Sequence, residues 1–227
     1  MSKGTPMRIT AHMRTGIISD PYMPIDGVLH AAMMYQTFGA EEVTVAGESP
    51  LFGGGHGSIP LERAVIGGLW FFKASFAQWE EPYVDDRSFW VKRFDHDNSD
   101  LIDFGSKRPS ILTASGIYKG YNTPVFLRHT PAVRWYAVGN IDKVNALLES
   151  VTHLGKKVSQ GWGRVNRWEV EPWAHDWSVF RGQEVMRAIP SKDGILYGVR
   201  PPYWQPKNQT PCRLPAIADM PDAQPLA

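Results

Sequence analysis

Apolar and polar positions alternate strictly over residues 8–15, putting Ile9, Ala11 and Met13 on one side and Arg8, Thr10, His12 and Arg14 on the other. A period of two is the mark of a half-buried strand. The period then changes. Val28, Leu29, Ala32, Met33 and Gln36 form a mostly apolar stripe at helical spacing, predicting a helix over about 26–38 with Asp26 as N-cap and Gly39 as its stop. Residues 64–76 (AVIGGLWFFKASF) read as a buried strand, interrupted near Gly67-Gly68. The stretch 77–130 is polar and turn-rich and predicts an irregular insertion; 132–138 (AVRWYAV) is again a strand. Asn140 then caps a helix whose Ile141, Val144, Leu147, Leu148 and Val151 fall at i, i+3, i+6, i+7 and i+10, with His153 in its last turn and Gly155 as a left-handed terminator. Residues 164–171 resume as a strand.

Strand, helix, strand, insertion, strand, helix, strand is the order of a ferredoxin-like (RRM-like) α+β domain. It occupies 1–171, with the insertion at about 77–130 and a glycine-rich loop before the last strand. Beyond it the character changes. Nine of the eighteen prolines fall in residues 172–227, which predicts a strand or two and an extended tail packed on the domain.

At 227 residues, 43% hydrophobic and 12% aromatic, the chain can bury a sizeable core. A single cysteine, Cys212, excludes an intrachain disulfide framework and a cysteine-based zinc site. No apolar run is long enough to span a bilayer and the N-terminus has no apolar leader, so the expectation is a cytoplasmic protein without a membrane partner. The net charge of +1 suggests indifference to polyanions, but the charge is unevenly placed. Residues 104–167 hold ten basic side chains against Asp142 and Glu149, a net +8; the remainder carries −7. A polyanion feels the local field, because charges beyond about 8 Å are largely screened in physiological salt. Aromatic residues interleave with these cations, as in Tyr118-Lys119-Gly120-Tyr121, Arg134-Trp135-Tyr136 and Trp162-Gly163-Arg164. Cations beside stacking planes suit single-stranded nucleic acid; the composition alone equally suits a solvated basic face around core aromatics.

The most informative stretch is 155–164 (GKKVSQGWGR). Three glycines permit close backbone approach and anion-binding nests. Lys156, Lys157 and Arg164 add charge, Ser159 and Gln160 add donors, and Trp162 adds a stacking plane. A P-loop is excluded: Ser150 stands where the first glycine belongs, Lys157 stands where Ser or Thr is required, and the run goes from helix to strand. The dinucleotide fingerprint fails on the same order. No cofactor is implied. On its own, the loop reads equally as a helix cap and a tight turn.

A helix, a basic glycine-rich loop and a final strand resemble the glycine loop of the CRISPR-associated RAMP superfamily, and within it the chain is similar to the small RAMP subunit of type IV effector complexes that caps the crRNA 5′ handle. The stretches that carry this are 9–12 (ITAH), 26–29 (DGVL), 89–94 (FWVKRF), 116–121 (GIYKGY), 135–139 (WYAVG), 151–164 (VTHLGKKVSQGWGR) and 200–204 (RPPYW), in collinear order. The resemblance implies a modified ferredoxin-like domain that grips the 5′ end of the guide, contacts the backbone RAMP subunit and the large subunit, and meets target DNA through the complex. On that basis Lys156, Lys157, Trp162 and Arg164, with Ser159 and Gln160, are expected to grip the handle. Tyr118, Lys119, Tyr121, His12 and Arg14 are expected to line the adjoining surface. Arg87, Lys92, Arg93, Lys107 and Arg108 are the expected contacts if the insertion reaches duplex DNA near the PAM.

The rival of the same fold is a metal-independent endoribonuclease that cuts repeat RNA. It needs a general acid and base near neutral pH, for which His12, His30, His56, His129, Tyr118 and Lys119 are candidates. The Lys-His pair of one catalytic relative is absent, since Lys119 is followed by Gly120, and the expectation is a non-catalytic subunit. An unrelated interaction module whose basic stretch binds protein is the third alternative. Asp95, Asp97 and Ser99 mimic the start of a calcium loop, but Asp100 and Ser106 stand where Gly and Glu are required, so no metal site is expected.

Overall fold

The computed structural model describes residues 4–44, 59–97 and 113–216. Its elements are β1 (Thr5–Met13), α1 (Ile25–Thr44), β2 (Arg63–Ile66), β3 (Leu69–Phe72), β4 (Gln78–Trp79), β5 (Val84–Lys92), β6 (Tyr121–His129), β7 (Ala132–Gly139), α2 (Ile141–Leu148), β8 (Val165–Pro172), β9 (Phe180–Arg181), β10 (Glu184–Val185), β11 (Ile189–Gly198) and β12 (Gln209–Arg213). The protein is α+β. Its main sheet has the order β4-β7-β1-β8, every neighbouring pair antiparallel.

The alternation of β1 sets the layers. Ile9 lies opposite Trp135 and Val170, and Ala11 opposite Val133 and Trp168. These side chains share a core with Ile25 and Leu29 of α1 and Val144 and Leu148 of α2, so both helices cover one face of the sheet. Trp135 is fully buried and donates its indole N–H to the Met23 carbonyl at 3.0 Å. The other face is polar: Arg8 pairs with Glu171, His12 with Glu169 and Arg134 with Glu80.

Several expectations are corrected. α1 begins at Ile25 and runs past Gly39, so Asp26 lies in its first turn and is not its cap. Asp26 is fully buried, accepts a hydrogen bond from the Tyr203 hydroxyl at 2.6 Å and stands 3.7 Å from the buried Arg187 guanidinium. Burial raises its carboxyl above the ordinary aspartate value, against the opposing pull of Arg187 and Tyr203. Residues 64–76 are not one broken strand. Gly67 and Gly68, at φ 61° and 79°, turn β2 back onto β3 as a hairpin. The insertion is not irregular where it is described: β5 and β6 pair over nine residues each as a two-stranded ribbon.

Asn140 does cap α2, its Oδ1 accepting the Lys143 N–H at 2.9 Å. The helix ends at Leu148, however, so His153 and Gly155 lie beyond it. The C-terminal segment is more ordered than a strand or two. β9–β10 and β11–β12 form two antiparallel pairs, and Val185, Ala188, Ile189, Val199 and Cys212 build a second apolar cluster with Phe71 and Phe76. Among the described residues, no helix is long and apolar enough to cross a membrane.

Candidate nucleic-acid interface

The loop between α2 and β8 is built on backbone contacts with the segment that leaves β1. Leu154, buried, donates its N–H to the Gly163 carbonyl at 2.8 Å, and Gly163 donates to Gly16 at 2.7 Å. Lys156 donates to the Ile18 carbonyl at 2.7 Å, and Arg14 to that of Arg164 at 2.8 Å. The Thr15 hydroxyl donates to the Gly161 carbonyl at 3.0 Å and accepts from the Arg164 N–H at 2.9 Å. Glycine is required at two places. At Gly155 (φ 81°) a Cβ would strike the Ile18 carbonyl, and at Gly163 (φ 72°) that of Leu154. Gly155 therefore serves close approach to the β1 exit rather than capping a helix.

Between these anchors the chain makes a 3-10 turn over Val158–Gln160. Lys157 enters it in the left-handed region, at φ 61°, a conformation costly for a residue with a Cβ. Its ammonium lies over the face of the Trp90 indole in β5. Lys156, Ser159, Gln160 and Arg164 are exposed, and Trp162 is half-buried.

The contact with Trp90 joins the loop to the ribbon. Trp90 packs edge-on to Tyr121 with ring centroids 5.2 Å apart, and Lys92 lies opposite Tyr121 with its ammonium 5.9 Å from that ring. Tyr118 packs edge-on to Phe94, and Lys119 beside it is exposed. Loop, ribbon and 116–121 turn are thus linked through Trp90 and Tyr121. Trp90 was not among the site residues inferred from sequence; its signal was the alternation that puts it on the same side of the strand as Lys92.

His12 sits elsewhere, on the polar sheet face, with Nε2 3.0 Å from Glu169 Oε2. That contact, with Arg167 beside it, holds the Glu169 carboxyl below the ordinary glutamate range. Arg87 falls by alternation on the side of the ribbon opposite Trp90, where it stacks on Phe126 at 5.3 Å, and Arg93 lies just past the end of β5. Lys107, Arg108 and His56 lie outside the described residues, as does most of the calcium-like run. His129 is exposed against Gly16, and His30 is half-buried, and that burial lowers its affinity for a proton. No group of three or more metal-ligating side chains occurs among the described residues.

Pairing sorts the basic block. Arg128 is buried, stacks on Tyr83 and grips Asp85 through two hydrogen bonds of 2.6 Å; Arg134 pairs with Glu80 and Arg167 with Glu169. Arg14, Lys119, Lys156, Lys157 and Arg164 have no carboxylate partner among the described residues. Of the described cations in the block, Lys119, Lys143, Lys156, Lys157 and Arg164 are left without a carboxylate partner, three of them in the loop.

Residues 5–215 match the model of a protein family described as CRISPR type IV associated protein Csf3. The chain belongs to this family. No curated protein matches it. The match spans nearly the whole described chain, including the ribbon and the C-terminal strand pairs, and makes this a type IV CRISPR-associated protein.

Proposed function

We propose that this chain is a non-catalytic, RNA-holding subunit of a type IV CRISPR effector complex and that the 155–164 loop binds the 5′ handle of the crRNA. One observation carries the reading. Arg14, Lys156, Lys157 and Arg164, none with a carboxylate partner among the described residues, converge on a loop pinned by its own backbone hydrogen bonds, with Trp162 and Trp90 beside them. Preorganised cations next to aromatic planes hold a single strand by phosphate contacts and stacking. Family membership supplies the context.

The scaffold in this reading is a ferredoxin-like RAMP domain over 1–171, with the described part of the 172–227 extension packed on it. The order β4-β7-β1-β8, with each helix joining two strands that have a third between them, supports the assignment. Tyr118, Lys119 and Tyr121 extend the RNA surface along the ribbon, and the polar sheet face carries His12. The ribbon's far side with Arg87, and Arg93 just past the end of β5, are assigned to the backbone and large subunits or to PAM-side DNA.

The test uses the full chain and its triple variant Lys156→Ala/Lys157→Ala/Arg164→Ala. Loss of three phosphate contacts is expected to flatten the salt dependence of crRNA binding by about two units of log K per log salt on a single strand. An unchanged slope removes the loop from the interface. Repeat RNA incubated with the protein without metal is expected to be bound at full length; release of a handle-length fragment replaces this reading with that of a ribonuclease.

A further inference from the structure

Beside the glycine loop lies an open cleft of about 260 Å³, between the exit of β1, the entry of β5 and the turn from β6 to β7. Pro82, Val84 and Pro131 give it exposed apolar walls, Val84 at 63%. Two of its polar side chains are already committed. The Thr15 hydroxyl bonds Gly161 and Arg164, and the Thr130 hydroxyl donates to the carbonyls of Glu80 and Ala132 at 2.8 and 2.9 Å. That leaves Arg14 and His129. Both are exposed, and neither side chain has a hydrogen-bond or carboxylate partner among the described residues.

Both residues sit on fixed backbone. A Cβ on Gly16 would come within 2.9 Å of Nδ1 and of Cε1 of His129, so the imidazole rests where any side chain would displace it. Gly16 is itself buried, and its carbonyl accepts from Gly163 at 2.7 Å, while the Arg14 N–H donates to the Arg164 carbonyl at 2.8 Å. The hydrogen bonds that pin the loop therefore also fix one wall of the cleft. Its volume is below the about 300–1,000 Å³ of pockets that enclose whole small molecules. It has room for one ring system, with apolar groups against its face and two polar side chains for its edges. A guanidinium fork suits two neighbouring acceptors, which guanine presents in O6 and N7; on that edge adenine pairs an acceptor with a donor, and uracil offers O4 alone.

We infer that this cleft takes one guanine base of the bound RNA strand, with Arg14 on O6 and N7, His129 as the second hydrogen-bonding group, and Pro82, Val84 and Pro131 against the ring. The inference rests on the loop reading for what brings the strand there. Lys156, Lys157 and Arg164 hold phosphates and fix the strand's position; the cleft reads a base turned out of the stack.

The full chain is titrated, over a range of salt, with a short fluorescent oligo(rU) and with the same strand carrying one central guanosine, adenosine, cytidine or 7-deazaguanosine. The strand can slide until its single purine or cytosine meets the cleft. Guanosine is expected to tighten binding about tenfold at the salt slope of plain oligo(rU), and 7-deazaguanosine, which lacks N7, to lose most of that gain. Arg14→Lys keeps the charge but not the fork, and is expected to abolish the preference at an unchanged slope; His129→Ala is expected to weaken it. The inference is overturned by equal affinities in the parent, by a gain shared with adenosine, cytidine or 7-deazaguanosine, or by a preference that survives Arg14→Lys. The comparison of strands needs the parent alone, so a variant that fails to fold leaves the test intact. The loop triple variant separates the two readings. A flattened slope without any guanosine preference keeps the loop and sinks the cleft; an unchanged slope with a preference that Arg14→Lys removes does the opposite. A chain that binds none of the strands sinks both.

Discussion

Gly161 and Gly163 both adopt positive φ, 87° and 72°, but their surroundings differ. A Cβ at Gly161 would meet nothing within 4 Å, whereas one at Gly163 would run into the Leu154 carbonyl, in the backbone knot that closes the loop. Left-handed backbone costs a residue with a Cβ about 1–2 kcal/mol. Gly161→Ala is therefore expected to lose about that much in urea unfolding, and Gly163→Ala clearly more; equal losses would mean that the carbonyl contact is not what requires glycine. At this scale the sequence was partly legible. The three glycines announced close approach, but Gly155 read as a helix cap because its true neighbour, Ile18, is 137 positions away. Lys157 gave no sign of its left-handed backbone: nothing about a lysine announces a residue held over Trp90 by the turn around it.

Among the elements, the ribbon differs most from its expectation. Its residues are largely exposed, with Phe89 at 53% and Phe126 at 55%, so no buried apolar face announced two paired strands. What stabilises them is cross-strand and basal contact: the Asp85–Arg128 pair at one end, Arg128 stacked on Tyr83, and Trp90 against Tyr121 at the other. The ribbon reaches the glycine loop through Trp90 and Lys157, so Trp90→Ala is expected to weaken crRNA binding by about 1–3 kcal/mol, the value of one stacking contact. Because no charge is removed, the salt slope should stay that of the parent. A flattened slope would mean that Trp90 acts only by holding Lys157 in place. β8, by contrast, formed where its periodicity put it, and α2 started at its Asn140 cap but stopped at Leu148, short of the Val151 and His153 that the pattern had included.

For the whole molecule, part of the described segment beyond Pro172 belongs to the fold's interior. Val185, Ala188, Ile189 and Val199 cover Phe71 and Phe76, while the fully buried Arg187 donates to the carbonyls of Phe72, Ala74 and Val199 and stands beside Asp26. Removing a partner from a buried pair costs about 3–5 kcal/mol, and uncovering two buried phenylalanines adds to it. A chain ending at Pro172 is therefore expected to fail to fold, seen as loss of a cooperative thermal transition; a truncated chain that melts cooperatively would make the tail dispensable. Charge follows the same logic: the +8 block was visible in the sequence, but pairing removed Arg128, Arg134 and Arg167 from it and left the loop cations, with Lys119 and Lys143, uncompensated among the described residues. The sequence by itself determined the strands and helices whose burial repeats with a short period, because a period of two or 3.6 is a property of neighbouring residues. It likewise determined the clustering of charge. Only the tertiary structure decided which cations are neutralised, that Trp90 meets Lys157, and that Asp26 meets Tyr203 and Arg187. Those contacts join side chains 67 to 177 positions apart, brought together by the packing of sheet, helices and C-terminal strands.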